Sequence, residues 1–145
     1  MIRRVETDER YVGEIPLDQF QEKYSSMKYL ETSVEIALKG MRDLAVDTSE
    51  PVYICTGYIL SEIRRVLTNQ GYHIVPSKIT GVTQEFAETA FKQSLVNLGV
   101  GDMNTIDKMR SFNGFLRWVK SDLKNRERYV KTGWKSWHKW RGQDG

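Results

Sequence analysis

Apolar positions recur along this chain in two rhythms, and the switches between them outline the elements. Residues 2–6 and 10–15 are short segments containing Val, Ile and Tyr on either side of Thr7-Asp8-Glu9, the pattern of a β-hairpin closed by Pro16. Asp18 followed by Gln21 resembles a capping box, so a helix is expected to begin near Asp18 with Phe20, Tyr24 and Met27 on one side. Leu30, Val34, Ala37, Met41 and Leu44 continue at steps of four, three, four and three, which mark one helical face.

The rhythm changes after the turn Thr48-Ser49-Glu50-Pro51. Val52-Tyr53-Ile54-Cys55 is apolar on both alternating faces, as in a strand covered on both sides. Ile59, Leu60, Ile63, Val66 and Leu67 form an amphipathic helix stopped at Asn69-Gln70-Gly71, where glycine suits a left-handed cap. Tyr72-His73-Ile74-Val75 is the next strand, and a helix follows from about Val82 to Leu98 with Phe86, Ala90, Leu95 and Leu98 inward. Two strands joined through one helix are most easily parallel, with a right-handed crossover.

From Gly101 onward Ile106, Met109, Phe112, Leu116, Val119 and Leu123 recur at helical steps, predicting one long helix. Gly114 inside it costs up to about 1 kcal/mol relative to alanine, so a close neighbour or a bend is expected there. The pattern predicts an α/β fold: a small mixed β-sheet of about four strands with flanking helices and a long C-terminal helical arm. Residues 1–100 are expected to form the α/β core domain. Residues 101–145 are expected to form a C-terminal helix and a basic, tryptophan-rich extension, packed on that domain or projecting from it.

Composition narrows the class. The chain has 145 residues, 39% hydrophobic and 28% charged, which is ordinary globular usage and enough length for a core without disulfides or metals. One cysteine, Cys55, fits a reducing compartment, no apolar run approaches a membrane span, and a cytoplasmic protein without a membrane partner is the expectation. The net charge of +3 is unevenly spread: from Arg117 to the end nine Lys and Arg face three acids, leaving residues 1–116 with 13 against 16.

That basic tail carries the strongest candidate chemistry. Trp118, Trp134, Trp137 and Trp140 lie among the cations, and such a mixture can neutralise phosphates while stacking unpaired bases. The expected nucleic-acid contacts are Lys124, Arg126, Arg128, Lys131, Trp134, Lys135, Trp137, Lys139, Trp140 and Arg141. Aromatics so placed more often dock a segment on its own core or on a second subunit, so homodimerisation is the competing use. Trp118 sits beside the apolar stripe and belongs with the core.

The second candidate lies where the two central strands end. Ligands of open α/β sheets bind beyond those ends, here Thr56-Gly57-Tyr58 and 77–81. Thr56, Gly57, Ser77, Lys78, Thr80 and Gly81 could hold a phosphate or carboxylate, making the alternative a small enzyme or a sensor of an anionic metabolite. The same residues are ordinary caps and turns, and no phosphate-loop or dinucleotide fingerprint accompanies them. Cys55 with His73 invites a nucleophile–base pair, but a lone cysteine in an apolar strand is usually packing. Two histidines and one cysteine give no ligand spacing for zinc, the strands hold no aspartate for Mg²⁺, and no cofactor is implied.

Overall fold

A computed structural model describes residues 1–142; the last three residues of the basic extension, 143–145, lie outside the described residues. The chain is mixed helix and sheet and falls into two compact units, Met1–Ile15 with Met27–Ala90, and Pro16–Ser26 with Phe91–Gly145. No helix among the described residues is long and apolar enough to cross a membrane.

In the first unit, strands β1 (Ile2–Arg3) and β2 (Arg10–Tyr11) pair antiparallel, Ile2 opposite Tyr11. The hairpin is present, but only two residues of each arm pair. It is tied by Arg4, which donates to the carboxylate of Glu50 and, at 2.8 Å, to the Leu44 carbonyl. The Arg4 guanidinium holds the Glu50 carboxyl below the usual carboxylate range, with a further hydrogen bond from the Asp47 backbone. Helix α1 (Lys28–Asp43) buries Tyr29, Ser33, Ala37, Gly40 and Met41. The earlier start expected near Asp18 is replaced by two 3-10 turns, Leu17–Phe20 and Tyr24–Ser26, because Met27 takes a left-handed backbone that a continuous helix excludes.

Strand β3 (Pro51–Ile54), a 3-10 turn (Tyr58–Leu60), helix α2 (Ser61–Asn69) and strand β4 (His73–Pro76) make the expected crossover, with β3 and β4 parallel and Ile54 opposite Pro76. One mixed sheet was expected; instead the hairpin and the β3–β4 pair are two separate two-stranded sheets. Two-residue arms offer too short an edge to extend a neighbouring sheet. The core of this unit is Ala37, Met41, Ile63 and Leu67, with Val52, Ile54 and Ile74 packed against it.

Three helices close by one device. Tyr72 N–H donates to the Leu67 carbonyl and Gly71 N–H to that of Thr68, a Schellman cap with Gly71 at φ +88°. Gly99, at φ +84°, ends α3 (Val82–Asn97) with the same pair of bonds. After α1 the same bonds form, but the left-handed position is Ala45, at φ +49°. Ala45→Gly removes that strain, offset in part by the freer unfolded chain, and is expected to stabilise the protein by about 0.5–1 kcal/mol. Urea unfolding at matched slope checks it; a lowered midpoint would refute the strained cap.

No residue of α3 is fully buried. Phe86, expected inward among apolar neighbours, is covered by guanidinium groups, Arg10 at 3.9 Å and Arg3 at 5.8 Å from its ring centroid. Leu98, also expected inward, is 39% exposed.

In the second unit the single long helix expected over 106–123 is three shorter ones, α4 (Met103–Lys108), α5 (Phe112–Lys120) and α6 (Leu123–Arg126). Ser111 is extended and its hydroxyl accepts from Gly114 N–H at 3.0 Å, a cap that starts a new helix. A Cβ on Gly114 would stand 2.7 Å from the Met109 carbonyl oxygen, which is the close neighbour its place required. The core is Val100, Ile106 and Met109, with Leu95, Val96, Phe115, Trp118 and Tyr129 around it. A 3-10 turn (Glu127–Tyr129) and helix α7 (Lys135–Arg141) complete the unit.

Candidate nucleic-acid interface

The basic segment is built on residues that are not themselves basic. Gln21 Nε2 donates to the carbonyls of Arg128 and Val130 at 2.9 and 2.8 Å, and Gly133 N–H donates to the Phe20 carbonyl at 3.0 Å. The segment 17–26 thereby seats the chain that leads into α7. Within α7, Trp137 is 3% exposed and its indole N–H donates to Glu127 Oε1 at 2.8 Å. The same carboxylate oxygen receives Arg141 Nε at 3.0 Å. Glu127 therefore satisfies the one donor of a buried indole and fixes the last turn of the helix on the preceding 3-10 turn.

The ten expected contacts divide into two sets. Arg126 donates to the Trp118 carbonyl at 2.7 Å and lies 4.5 Å from the Trp118 ring centroid. Arg128 donates to the Tyr129 hydroxyl at 2.7 Å and lies over its ring. Lys131 stands 4.2 Å from the centroid of the Phe20 ring, and partial burial pushes its ammonium below the ordinary lysine range although much of the side chain is exposed. With Arg141 on Glu127 and Trp137 in the interior, these five hold the unit together. A buried indole has no face to offer a base.

The other set faces solvent. Lys124, Lys135 and Lys139 are exposed, and none forms an ion pair or hydrogen bond among the described residues. Lys135 and Lys139 lie four apart on α7 and share a face with the exposed His138. Trp134, at the start of α7, is 43% exposed. Trp140 is half-buried, with Phe112 edge-on to it at 4.8 Å between ring centroids. Phe112 itself is 57% exposed, although the sequence places it on the apolar stripe. Ser111 is the signal that could have shown this, since a cap there puts Phe112 in the first turn of a new helix.

Charge follows the division of the chain. Pro16–Ser26 with Phe91–Gly145 holds thirteen Lys and Arg against seven Asp and Glu, a net of +6, and the remainder holds nine against twelve, −3.

The strand-end loops are neighbours, as parallel pairing requires: Ser77 N–H donates to the Ile54 carbonyl at 2.9 Å. Sequence reasoning missed Arg64, whose guanidinium reaches the carbonyls of Cys55, Thr56 and Gly57 and so ties down the first loop. Ser77 Oγ donates to the Val75 carbonyl at 3.2 Å. Lys78 and Thr80 are exposed, and no hydrogen bond among the described residues joins Lys78, Thr80 or Gly81 to Thr56 or Gly57. Cys55 and His73 belong to opposite ends of the pair, since His73 lies opposite Pro51, four positions before Cys55, which at strand rise is about 13 Å. No group of three His, Cys, Asp or Glu among the described residues could hold a metal ion.

Comparison of the chain with protein-family models, curated proteins and solved structures finds no match, so the functional reading rests on this geometry.

Proposed function

We propose that the unit comprising residues 16–26 and 91–142 is a non-enzymatic module that binds nucleic acid by its phosphates. What carries the reading is the set Lys124, Lys135 and Lys139: three exposed ammonium groups with no ion pair among the described residues, in a unit of net charge +6. A cation already resting on a carboxylate or an aromatic face must give up that partner to bind phosphate; these three need give up only water and counterions. Arg126, Arg128, Lys131, Arg141 and Trp137 act beneath them as the support that orients α7.

The test is fluorescence anisotropy of a labelled single-stranded oligonucleotide across a range of salt. Three phosphate contacts predict log K falling with log salt at a slope of about −2. Lys124→Gln/Lys135→Gln/Lys139→Gln is expected to remove most of the affinity and flatten the slope towards zero. Absent or salt-independent binding by the wild-type chain would refute the module.

The small-molecule alternative at Thr56–Gly57 and 77–81 has no comparable support, because Arg64 occupies the carbonyls of the first loop and Lys78 makes no contact towards it. Self-association through the tryptophans has little to work with, since Trp137 is interior and Trp140 is half-covered.

A further inference from the structure

We infer that Phe112 and Trp140 form a stacking site for an unpaired base, which makes single-stranded nucleic acid the preferred partner of the module; this rests on the nucleic-acid reading above and specifies its ligand. Phe112 is the first residue of α5 and leaves 57% of itself in water, although a core stood ready to take an apolar side chain in that unit. Its backbone is set by the Ser111 cap, and its ring is held edge-on by Trp140 at 4.8 Å and 66°. A ring fixed in this way has little rotamer freedom left to lose when a planar group lands on it, the condition under which aromatic stacking adds most to affinity.

The surroundings select a polyanion over an apolar peptide. Arg110 is two residues before Phe112 and Lys139 one residue before Trp140; both are exposed, and neither forms an ion pair among the described residues. The ring contact brings these two stretches of chain together, so a base on the rings carries its flanking phosphates towards cations from both sides. A duplex hides the faces of its bases, and stacking on a side chain is open only to bases that are already unstacked.

The full chain is titrated with a single-stranded oligonucleotide containing 2-aminopurine and with the same strand in a duplex. The wild-type protein should bind the single strand about tenfold more tightly, with quenching of the aminopurine by the rings. Phe112→Leu keeps an apolar neighbour for Trp140 but has no π-face; it should lose about tenfold in single-strand affinity while duplex binding and the salt slope stay unchanged. Phe112→Tyr should restore wild-type behaviour. Equal binding of the two forms, a silent Phe112→Leu, or an equal loss on both forms would overturn the stacking site, and lysine-dependent, salt-sensitive binding would then leave the module itself standing. Absence of binding to either form would remove both.

Discussion

Gly133→Ala is expected to destabilise the C-terminal unit by about 3 kcal/mol, a large fraction of the 5–15 kcal/mol typical of a domain. A Cβ there would overlap the Tyr24 side chain, with Cγ at 2.6 Å, and would stand 2.9 Å from the Gln21 carbonyl oxygen. A flexible side chain could swing away, but the Gln21 carbonyl is backbone. The segment 17–26 must therefore lift from residues 128–133. Lifting breaks the bond from Gly133 N–H to the Phe20 carbonyl and the two that Gln21 Nε2 makes, each worth about 1 kcal/mol net. It also uncovers the Phe20 ring, which is 5% exposed and lies beneath Lys131. All four tryptophans are in this unit, so indole fluorescence during urea unfolding reads it directly. Gly57→Ala is the matched control: nothing stands within 4 Å of its Cβ position and its φ of −56° suits any residue, so a change of less than about 0.5 kcal/mol is expected. Equal midpoints for Gly133→Ala and the wild type would mean that residues 17–26 do not sit where described.

The elements legible in the sequence are those whose signals are local. The β3–α2–β4 crossover and the glycine at the end of α2 follow from short apolar runs and a left-handed cap, and both are present. Even so, the buried face of α1 is displaced from the expected one. Apolar spacing selects Leu30, Val34, Ala37 and Met41, while the structure buries Tyr29, Ser33, Ala37, Gly40 and Met41. Ser33 passes as a core residue because its hydroxyl donates to the Leu30 carbonyl at 2.6 Å. Gly40 does so because Tyr11 and Ile2 occupy the place of its side chain, with Tyr11 Cδ1 at 2.5 Å from an added Cβ. A hydrophobicity count cannot register either, since one is polar and the other's partners are some thirty residues away or more.

The candidate interface was legible in charge and not in arrangement. Nine cations in the tail look equivalent along the sequence, yet Arg126, Arg128, Lys131 and Arg141 each rest on a ring or a carboxylate, and Lys124, Lys135 and Lys139 do not. The sorting depends on Glu127, a single acid that holds Trp137 and Arg141 at once, and on Phe20, which belongs to a stretch a hundred residues earlier. The broken helix has a similar cause. Ile106 and Met109 on one side of the break, and Phe115 and Trp118 on the other, serve one core, so their spacing stays helical across a chain that is not. The unpartnered ring of Phe112 is a consequence of that break, and with it the site where a base would stack.

Leu67→Ala should cost about 3–4 kcal/mol, the upper part of the range for emptying a closed apolar site. Leu67 is 1% exposed and shares its core with Met41, also at 1%, and with Ala37 and Ile63. Val52, Ile54 and Ile74 approach the same core from both strands of the parallel pair. The three missing carbons therefore leave a space walled by a helix on one side and a sheet on the other, and neither can collapse into it without breaking its own hydrogen-bond ladder. Amide hydrogen exchange would localise the effect: protection should fall across α1, α2 and β4 together, because all three line the same space. Leu67→Met keeps the volume with a flexible chain and should cost less than about 1.5 kcal/mol. Leu98→Ala, at a position 39% exposed, should cost less than about 1 kcal/mol although the residue is the same. The contrast between the two leucines isolates burial from residue type. A loss below about 1 kcal/mol for Leu67→Ala would mean that the crossover does not close on α1, and the core assigned to this unit would have to be abandoned.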